Sequence, residues 1–293
     1  MLFSLTHSTR YVYETPVSYC LSEARLTPRS LPNQQVRETW ISVDPAPAFL
    51  RHREDYFGND VAVFGVFQQH DRFAATAKSI VDVLPEPVDG TPWESSLSWE
   101  ETRELLAAAQ DEECMKASEF IYDSPFVPTS PELAEYARKT FEPKRPLVDA
   151  VKELSQRIHE EFKYQAASTS IDMPLGEVLR QRQGVCQDFS HIMIGALRSL
   201  GLSARYVSGY IRSGAQFTGA QASHAWVSVF IPRGGWVSLD PTNDMIPSES
   251  HISVAWGRDY GDVAPVKGIT LGGGRQSVEV EVYMQPLDSG TDP

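Results

Sequence analysis

Alternation of apolar and polar positions dominates the first part of the chain. Residues 3–13 (Phe-Ser-Leu-Thr-His-Ser-Thr-Arg-Tyr-Val-Tyr) alternate with a period of two and are rich in aromatic residues, which predicts a strand. Thr39, Ile41 and Val43 repeat the pattern, and Asp44-Pro45 ends it. Gly58-Asn59-Asp60 supplies turn chemistry between Tyr56-Phe57 and the apolar run 61–67. Residues 80–84 close the set before Pro85. Short strands in succession predict an all-β, sandwich-like domain over residues 1–85.

The period then changes. Pro85-Glu-Pro-Val-Asp-Gly-Thr-Pro92 has the composition of a linker, and helical spacing follows it. Ser98 and Glu101 form a capping box for a helix running to about Gln110. Ser130 precedes Pro131 as an N-cap precedes an N1 proline. Leu147, Val151, Leu154, Ile158 and Phe162 recur on one helical face after Pro146. A short helix is predicted over 175–182. A second starts at Cys186, with the stripe Phe189, Met193, Ala196, Leu197 and Leu200 and a stop at Gly201. Strand patterns return at 204–211, 225–231, 236–239 and 277–284, with a hairpin turn at 232–235. The reading is an α+β chain in three parts: a β-rich domain over 1–85, a linker and helical segment over 86–145, and an α+β domain over 146–293.

Composition narrows the function classes. Hydrophobic residues make up 41% and charged residues 22%, as in a folded globular protein. No run approaches the roughly 20 apolar residues that span a bilayer. The N-terminus turns polar by Thr6 and lacks the basic start and long apolar stretch of a signal peptide, so the expectation is a cytoplasmic protein. A net charge of −13 argues against nucleic acid or an acidic membrane as partner. Between Glu86 and Glu113 nine acidic residues face one base, Arg103. A solvated face is the favoured reading; the sharper one is a docking patch for a basic partner. Three cysteines, Cys20, Cys114 and Cys186, are too few and too scattered for a disulfide framework. Without a CxxC pair or clustered His and Cys, neither metal nor cofactor is expected.

One cysteine stands apart. Gly184-Val185 precede Cys186 and the helical stripe follows it, so Cys186 opens a helix. The dipole and free N–H groups there favour a thiolate, the nucleophilic form of cysteine. A partner imidazole is the second requirement. His224 heads a strand 38 residues later, and Asp240 ends the next strand. If the two strands form a hairpin, the start of one and the end of the other share a sheet edge, and His224 meets Asp240 as a triad requires. Singly, each residue has a bland explanation: a small buried thiol, a strand-end histidine, a capping aspartate. The conjunction points to cysteine acyl-transfer chemistry.

These residues also carry a resemblance. Gly184-Val-Cys-Gln-Asp-Phe-Ser190, Gly201-Leu-Ser-Ala-Arg-Tyr-Val-Ser-Gly-Tyr210, Ala222-Ser-His-Ala-Trp226 and Gly235-Trp-Val-Ser-Leu-Asp-Pro-Thr-Asn243 occur in this order. Together they resemble the bacterial transglutaminase-like family, whose members are often labelled cysteine proteases. The first ~85 residues resemble the β-rich region that accompanies that domain. The resemblance implies a papain-like or transglutaminase-like core, with a nucleophile helix packed on an antiparallel sheet. It implies Cys186, His224 and Asp240 as its triad, and Tyr164 near the cleft. Gln221 stands where relatives often carry Asp, a departure confined to local loop contacts or substrate preference.

Further positions are open to two readings. The backbone N–H of Cys186 is the natural first oxyanion donor, and Gln183 or Gln181 could supply a second. Asp188 is better suited to structural hydrogen bonds than to catalysis. His191 points away from the stripe and could support the site from behind. Trp226 shares the sheet face of His224, as a wall of the site or as core. Cys20 and Cys114 have no partner motif and read as inert. The chemistry expected is thioester-mediated cleavage of a peptide or isopeptide-like amide, hydrolytic rather than crosslinking. The alternatives are a transglutaminase with an amine acceptor, an arylamine-acetyltransferase-like enzyme, and a non-catalytic binding or assembly module. The intact triad argues against the last.

Overall fold

Alternation does build strands in this protein, and they run further than the pattern alone marks. The computed structural model describes residues 1–84, 97–166, 173–212, 214, 217–219 and 222–287. In chain order come β1 (Leu2–Ala24), β2 (Gln34–Asp44), β3 (Phe49–Glu54), β4 (Asp60–Val66) and β5 (His70–Val83). Helices α1 (Trp99–Ala108), α2 (Glu112–Ser118), α3 (Pro131–Arg138) and α4 (Leu147–Glu161) follow. Then come β6 (Lys163–Tyr164), α5 (Leu175–Gln181), β7 (Gln183–Gly184), α6 (Cys186–Arg198), β8 (Ala204–Ile211), β9 (His224–Ile231) and β10 (Gly235–Leu239). The chain closes with β11 (His251–Gly257), α7 (Tyr260–Val263), β12 (Val266–Gly272) and β13 (Gln276–Pro286).

The N-terminal β region is a single seven-stranded antiparallel sheet that curls over itself. β1 makes this possible. Its first half, to Tyr13, lies between β5 and β13; its second half, from Val17, lies between β4 and β12. The register with β5 breaks between Val12 and Val17, and there the strand changes neighbours. Val17, Cys20 and Ala24 of β1 share a core with Phe64 and Val66 of β4 and Phe73 and Ala75 of β5. The two halves of one sheet thus pack as the two layers of a sandwich would. Phe3, Leu5, Val81 and Val83 belong instead to the core that holds α4, α6 and the second sheet.

Several sequence expectations change in detail. The strand read over 3–13 continues to Ala24, and the one read over 80–84 is the end of β5. Tyr56 and Phe57 are in the turn, not in a strand: Asp55 Oδ1 accepts the N–H groups of Phe57 and Asn59, both at 3.0 Å, and β3 is the partner of β4. The strand pattern at 277–284 is present as β13, but β12 and β13 pair with β1, so the chain returns to its first sheet. The linker 85–92 and Gln221 lie outside the described residues. No described helix is long and apolar enough to cross a membrane.

The second sheet, ordered β10-β9-β8-β11, is antiparallel throughout. Ala225, Val227, Val229 and Ile231 alternate on the face that meets α6, and α3 and α5 pack on the far side of that helix. Helix α6 is therefore surrounded, and every residue from Phe189 to Arg198 is buried. The parallel pair β6–β7 ties the exit of α4 to the entry of α6, Tyr164 opposite Gly184.

Candidate active site

The entry to α6 is built by local chemistry. Val185 is extended, and its N–H donates to Asp188 Oδ2 at 2.8 Å. Asp188 thus folds back over the start of its own helix and satisfies a donor there. Gly184 leaves the space for it, because a Cβ at that position would stand 2.5 Å from Asp188 Oδ2. Cys186 follows as the first helical residue, 9% exposed.

The predicted hairpin is present. β9 and β10 pair antiparallel from Gly235–Ile231 to Leu239–Val227, and the left-handed φ of Arg233 (65°) and Gly235 (83°) turns the chain between them. His224 Nε2 and Asp240 Oδ2 meet at 2.8 Å, with both side chains fully buried. Asp240 is held from every side. Its Oδ1 accepts from the N–H of Thr242 at 2.9 Å and of Asn243 at 3.3 Å. Its Oδ2 also accepts from Asn243 Nδ2 at 2.7 Å and meets His251 Nε2 at 3.4 Å.

These contacts set the charges. Burial alone would discharge both His224 and Asp240. Their mutual attraction and hydrogen bond overcome it, so the imidazole is held protonated well above its ordinary range and the carboxyl ionised well below its own. The Cys186 thiol interacts with the same ring and adds to the stabilisation of its proton. His224 Nδ1, the nitrogen that Asp240 does not use, closes no hydrogen bond of ordinary geometry among the described residues. A Cβ on Gly219 would stand 3.1 Å from that nitrogen and 3.4 Å from Tyr164 Oη, so the loop at Gly219 bridges the two rings. Tyr164 is half-buried, and burial, then the nearby Cys186 and Asp188, pushes its hydroxyl up to about 12.

The remaining sequence-selected residues separate. Gln181 is exposed and gives its amide to Glu177 Oε1 at 2.6 Å, and Gln183 Nε2 donates to Gln181 Oε1 at 3.1 Å. Both glutamines make these contacts at the end of α5 and the start of β7. Trp226 is buried, edge-on to His251, and forms core behind His224. His191 is buried rather than turned to the site's rear surface. Its Nε2 accepts the Tyr260 N–H at 3.2 Å, and burial, then Arg198, lowers it to about 3, so it stays neutral. Cys20 and Cys114 are buried. Burial raises both thiols, Cys114 to about 11 with help from Asp111. Sequence reading missed His251 and Asn243 as partners of Asp240. Asn243 ends the motif over residues 235–243. His251 starts a strand that the alternation pattern did not reveal, so it carried no local signal.

His224, Asp240 and His251 bring three potential metal-ligand atoms within 4.8 Å of one another. Asp240 Oδ2 is already in hydrogen-bonded contact with the Nε2 of each histidine, at 2.8 and 3.4 Å. A larger groove of about 540 Å³ lies at the seam of the two parts, lined by Arg25, Asp55, Glu119 and Arg258, and it touches none of Cys186, His224 and Asp240. The chemistry, not the volume, marks the candidate site.

A helix headed by cysteine, packed on an antiparallel sheet whose hairpin presents a His–Asp pair, defines a transglutaminase-like α+β fold. Residues 134–241 match the Transglutaminase-like superfamily, and residues 3–82 match the Bacterial transglutaminase-like N-terminal region. The chain is 37% identical to uncharacterized protein Rv2569c of Mycobacterium tuberculosis, covering 98% of this chain and 93% of that protein. It is 31% identical to the protein-glutamine gamma-glutamyltransferase of Pseudomonas aeruginosa, over 41% of this chain and 19% of that protein. The crystal structure of "a Putative Cysteine Protease from Cytophaga hutchinsonii" superposes with a TM-score of 0.78 at 20% identity, covering 100% of this chain and 93% of that one. The chain belongs to the transglutaminase-like superfamily, with the bacterial N-terminal region of that group.

Proposed function

We propose that this protein is a cysteine-dependent acyl-transfer enzyme that cleaves peptide or isopeptide-like amides by hydrolysis. The observation that carries the reading is the buried 2.8 Å contact of His224 with Asp240, with the Cys186 thiol against the same ring. Asp240 holds Nε2 and orients the imidazole; Nδ1 is left for the sulfur. The thiolate attacks the amide carbonyl carbon and forms a C–S bond. The developing oxyanion is met by the Cys186 N–H and by the Tyr164 hydroxyl, whose high proton affinity keeps it a donor at neutral pH. The imidazolium proton passes to the leaving nitrogen as the C–N bond breaks, and a thioester remains. Water, deprotonated by His224, then attacks the thioester. The acid product leaves and the thiolate–imidazolium pair returns.

Transfer to an amine instead of water is the second reading. It is supported by the likeness to a protein-glutamine gamma-glutamyltransferase over part of the chain. Peptide libraries incubated with and without a primary amine distinguish the two by mass: addition of water, loss of ammonia and amine incorporation differ. Peptide cleavage unaffected by amine, and abolished in Cys186→Ala, is the expected result. Undiminished turnover in a folded Cys186→Ala would overturn the proposal, and amine adducts dominating over cleavage would overturn its hydrolytic half.

A further inference from the structure

Behind the His–Asp pair, on the sheet face away from α6, is a cavity of about 160 Å³. It is roofed by residues 31–34 of the N-terminal region. Gln34 fastens that roof: its Nε2 donates to the Ser253 carbonyl and its Oε1 accepts the Ser253 N–H, both at 2.8 Å. The floor is set by strand register. Arg205 pairs with Ser228, and Ser228 pairs with Ser238, so a cation and two hydroxyls lie in one row across the sheet.

Arg205 is the unusual member. Its guanidinium lies between two indoles, 4.1 Å from the centre of Trp236 and 3.8 Å from that of Trp256. Its Nε is buried without a hydrogen-bond partner, and no described carboxylate pairs with it. The charge that acts on it most is another cation, Arg29, stacked 3.5 Å over Trp256. A half-buried charge whose Nε is sealed from water without a partner is costly, and stacking on aromatic faces recovers only part of that cost. Planar guanidinium donors are matched by planar oxyanions, which accept two parallel hydrogen bonds.

We propose that this cavity is a binding site for a small carboxylate, gripped by Arg205 between Trp236 and Trp256. Ser228, Ser238 and Ser253 line the same space; Ser228 and Ser238 bond to each other at 2.8 Å, which leaves that pair one hydroxyl proton for a ligand. A cavity of this size holds a compact molecule; one of about 150 Å³ accepts benzene. The ligand is therefore a short acid with a flat or small apolar body, and a folded peptide segment is too large. The cavity shares His251, a partner of Asp240, with the candidate active site, but the assignment stands whether or not the thioester reading holds.

The test uses the full chain and N-acetylglycine, with N-acetylglycinamide as its uncharged counterpart. Three of the six tryptophans, Trp226, Trp236 and Trp256, line the cavity, so intrinsic fluorescence reports on it. Saturable change with the acid at about millimolar concentration or below, and none with the amide, is expected. Arg205→Met should weaken the acid at least about tenfold while melting cooperatively. Ser228→Ala should weaken it by a smaller factor. An equal response to acid and amide, no saturation with the acid, or unchanged affinity in folded Arg205→Met would overturn the assignment. If Arg205→Met fails to fold, the acid–amide comparison on the wild-type chain decides.

Discussion

Replacing Asp240 by Asn tests the electrostatic core of the candidate site with almost no change of shape. The carboxylate meets His224 Nε2 at 2.8 Å inside a fully buried pocket. Charge centres about 4 Å apart at an effective dielectric constant of about 20 attract by about 4 kcal/mol. At 1.36 kcal/mol per pH unit, that is worth about 3 units of the proton affinity of His224. Removing it leaves the burial penalty, which favours the neutral ring. The ring in Asp240→Asn should therefore titrate about 3 pH units lower than in the wild type and be mostly neutral at pH 8. Nitrogen-15 NMR of the histidine rings across a pH series measures this directly. Turnover should fall by about 10²–10⁴-fold, and by more in His224→Ala, where the acid and base are both lost.

The same pair predicts a stability profile. A raised imidazole contributes fully below its ordinary value and loses its contribution as pH rises through the folded one. A depressed carboxyl contributes fully above its ordinary value and loses it as pH falls through the folded one. The contribution of the pair is then complete between about pH 4 and 6.5 and declines on both sides. Chemical denaturation across pH should show that plateau in wild type and lose it in Asp240→Asn. A His224 titration unmoved by the substitution would refute the coupling on which the reading depends.

Two further outcomes follow from the geometry. Iodoacetamide near neutral pH should alkylate Cys186 much faster than Cys20 or Cys114, since Cys186 alone combines partial exposure (9%, against 0% and 2%) with an imidazolium neighbour; peptide mapping reads the ratio, and equal labelling would refute activation. Gly184→Ala should cost about 1–3 kcal/mol in urea unfolding and slow alkylation of Cys186, because the new methyl group collides with the Asp188 carboxylate that caps α6; unchanged stability would mean the cap is not formed as described.

The His224–Asp240 contact of the candidate site was legible because its parts are local. A nucleophile at a helix start needs only the loop-to-helix transition at Gly184-Val185 and the stripe that begins at Phe189. The His–Asp meeting needs only a hairpin, and the turn at 232–235 marks one. His251 was not legible for the opposite reason. It reaches Asp240 from β11, which pairs with β8 on the far side of the sheet, and no short-range pattern encodes that arrival. Gln181 and Gln183 lie near Cys186 in sequence, and in the structure their amides bond to each other and to Glu177.

The sequence by itself determined the periodic elements, the helix caps at Ser98 and Ser130, and the three residues of the proposed chemistry, because each depends on neighbours a few positions away. Only the tertiary structure decided which strands share a sheet. β12 and β13 cross the length of the chain to flank β1, and the break in register between Val12 and Val17 lets that one strand serve both halves of the curl. It also decided that Arg205, an ordinary position in an alternating strand, would stack on both Trp236 and Trp256. Strand pairing and side-chain stacking join residues distant in sequence, and the balance of burial, charge and aromatic contact at such a junction exists only once the chain has folded.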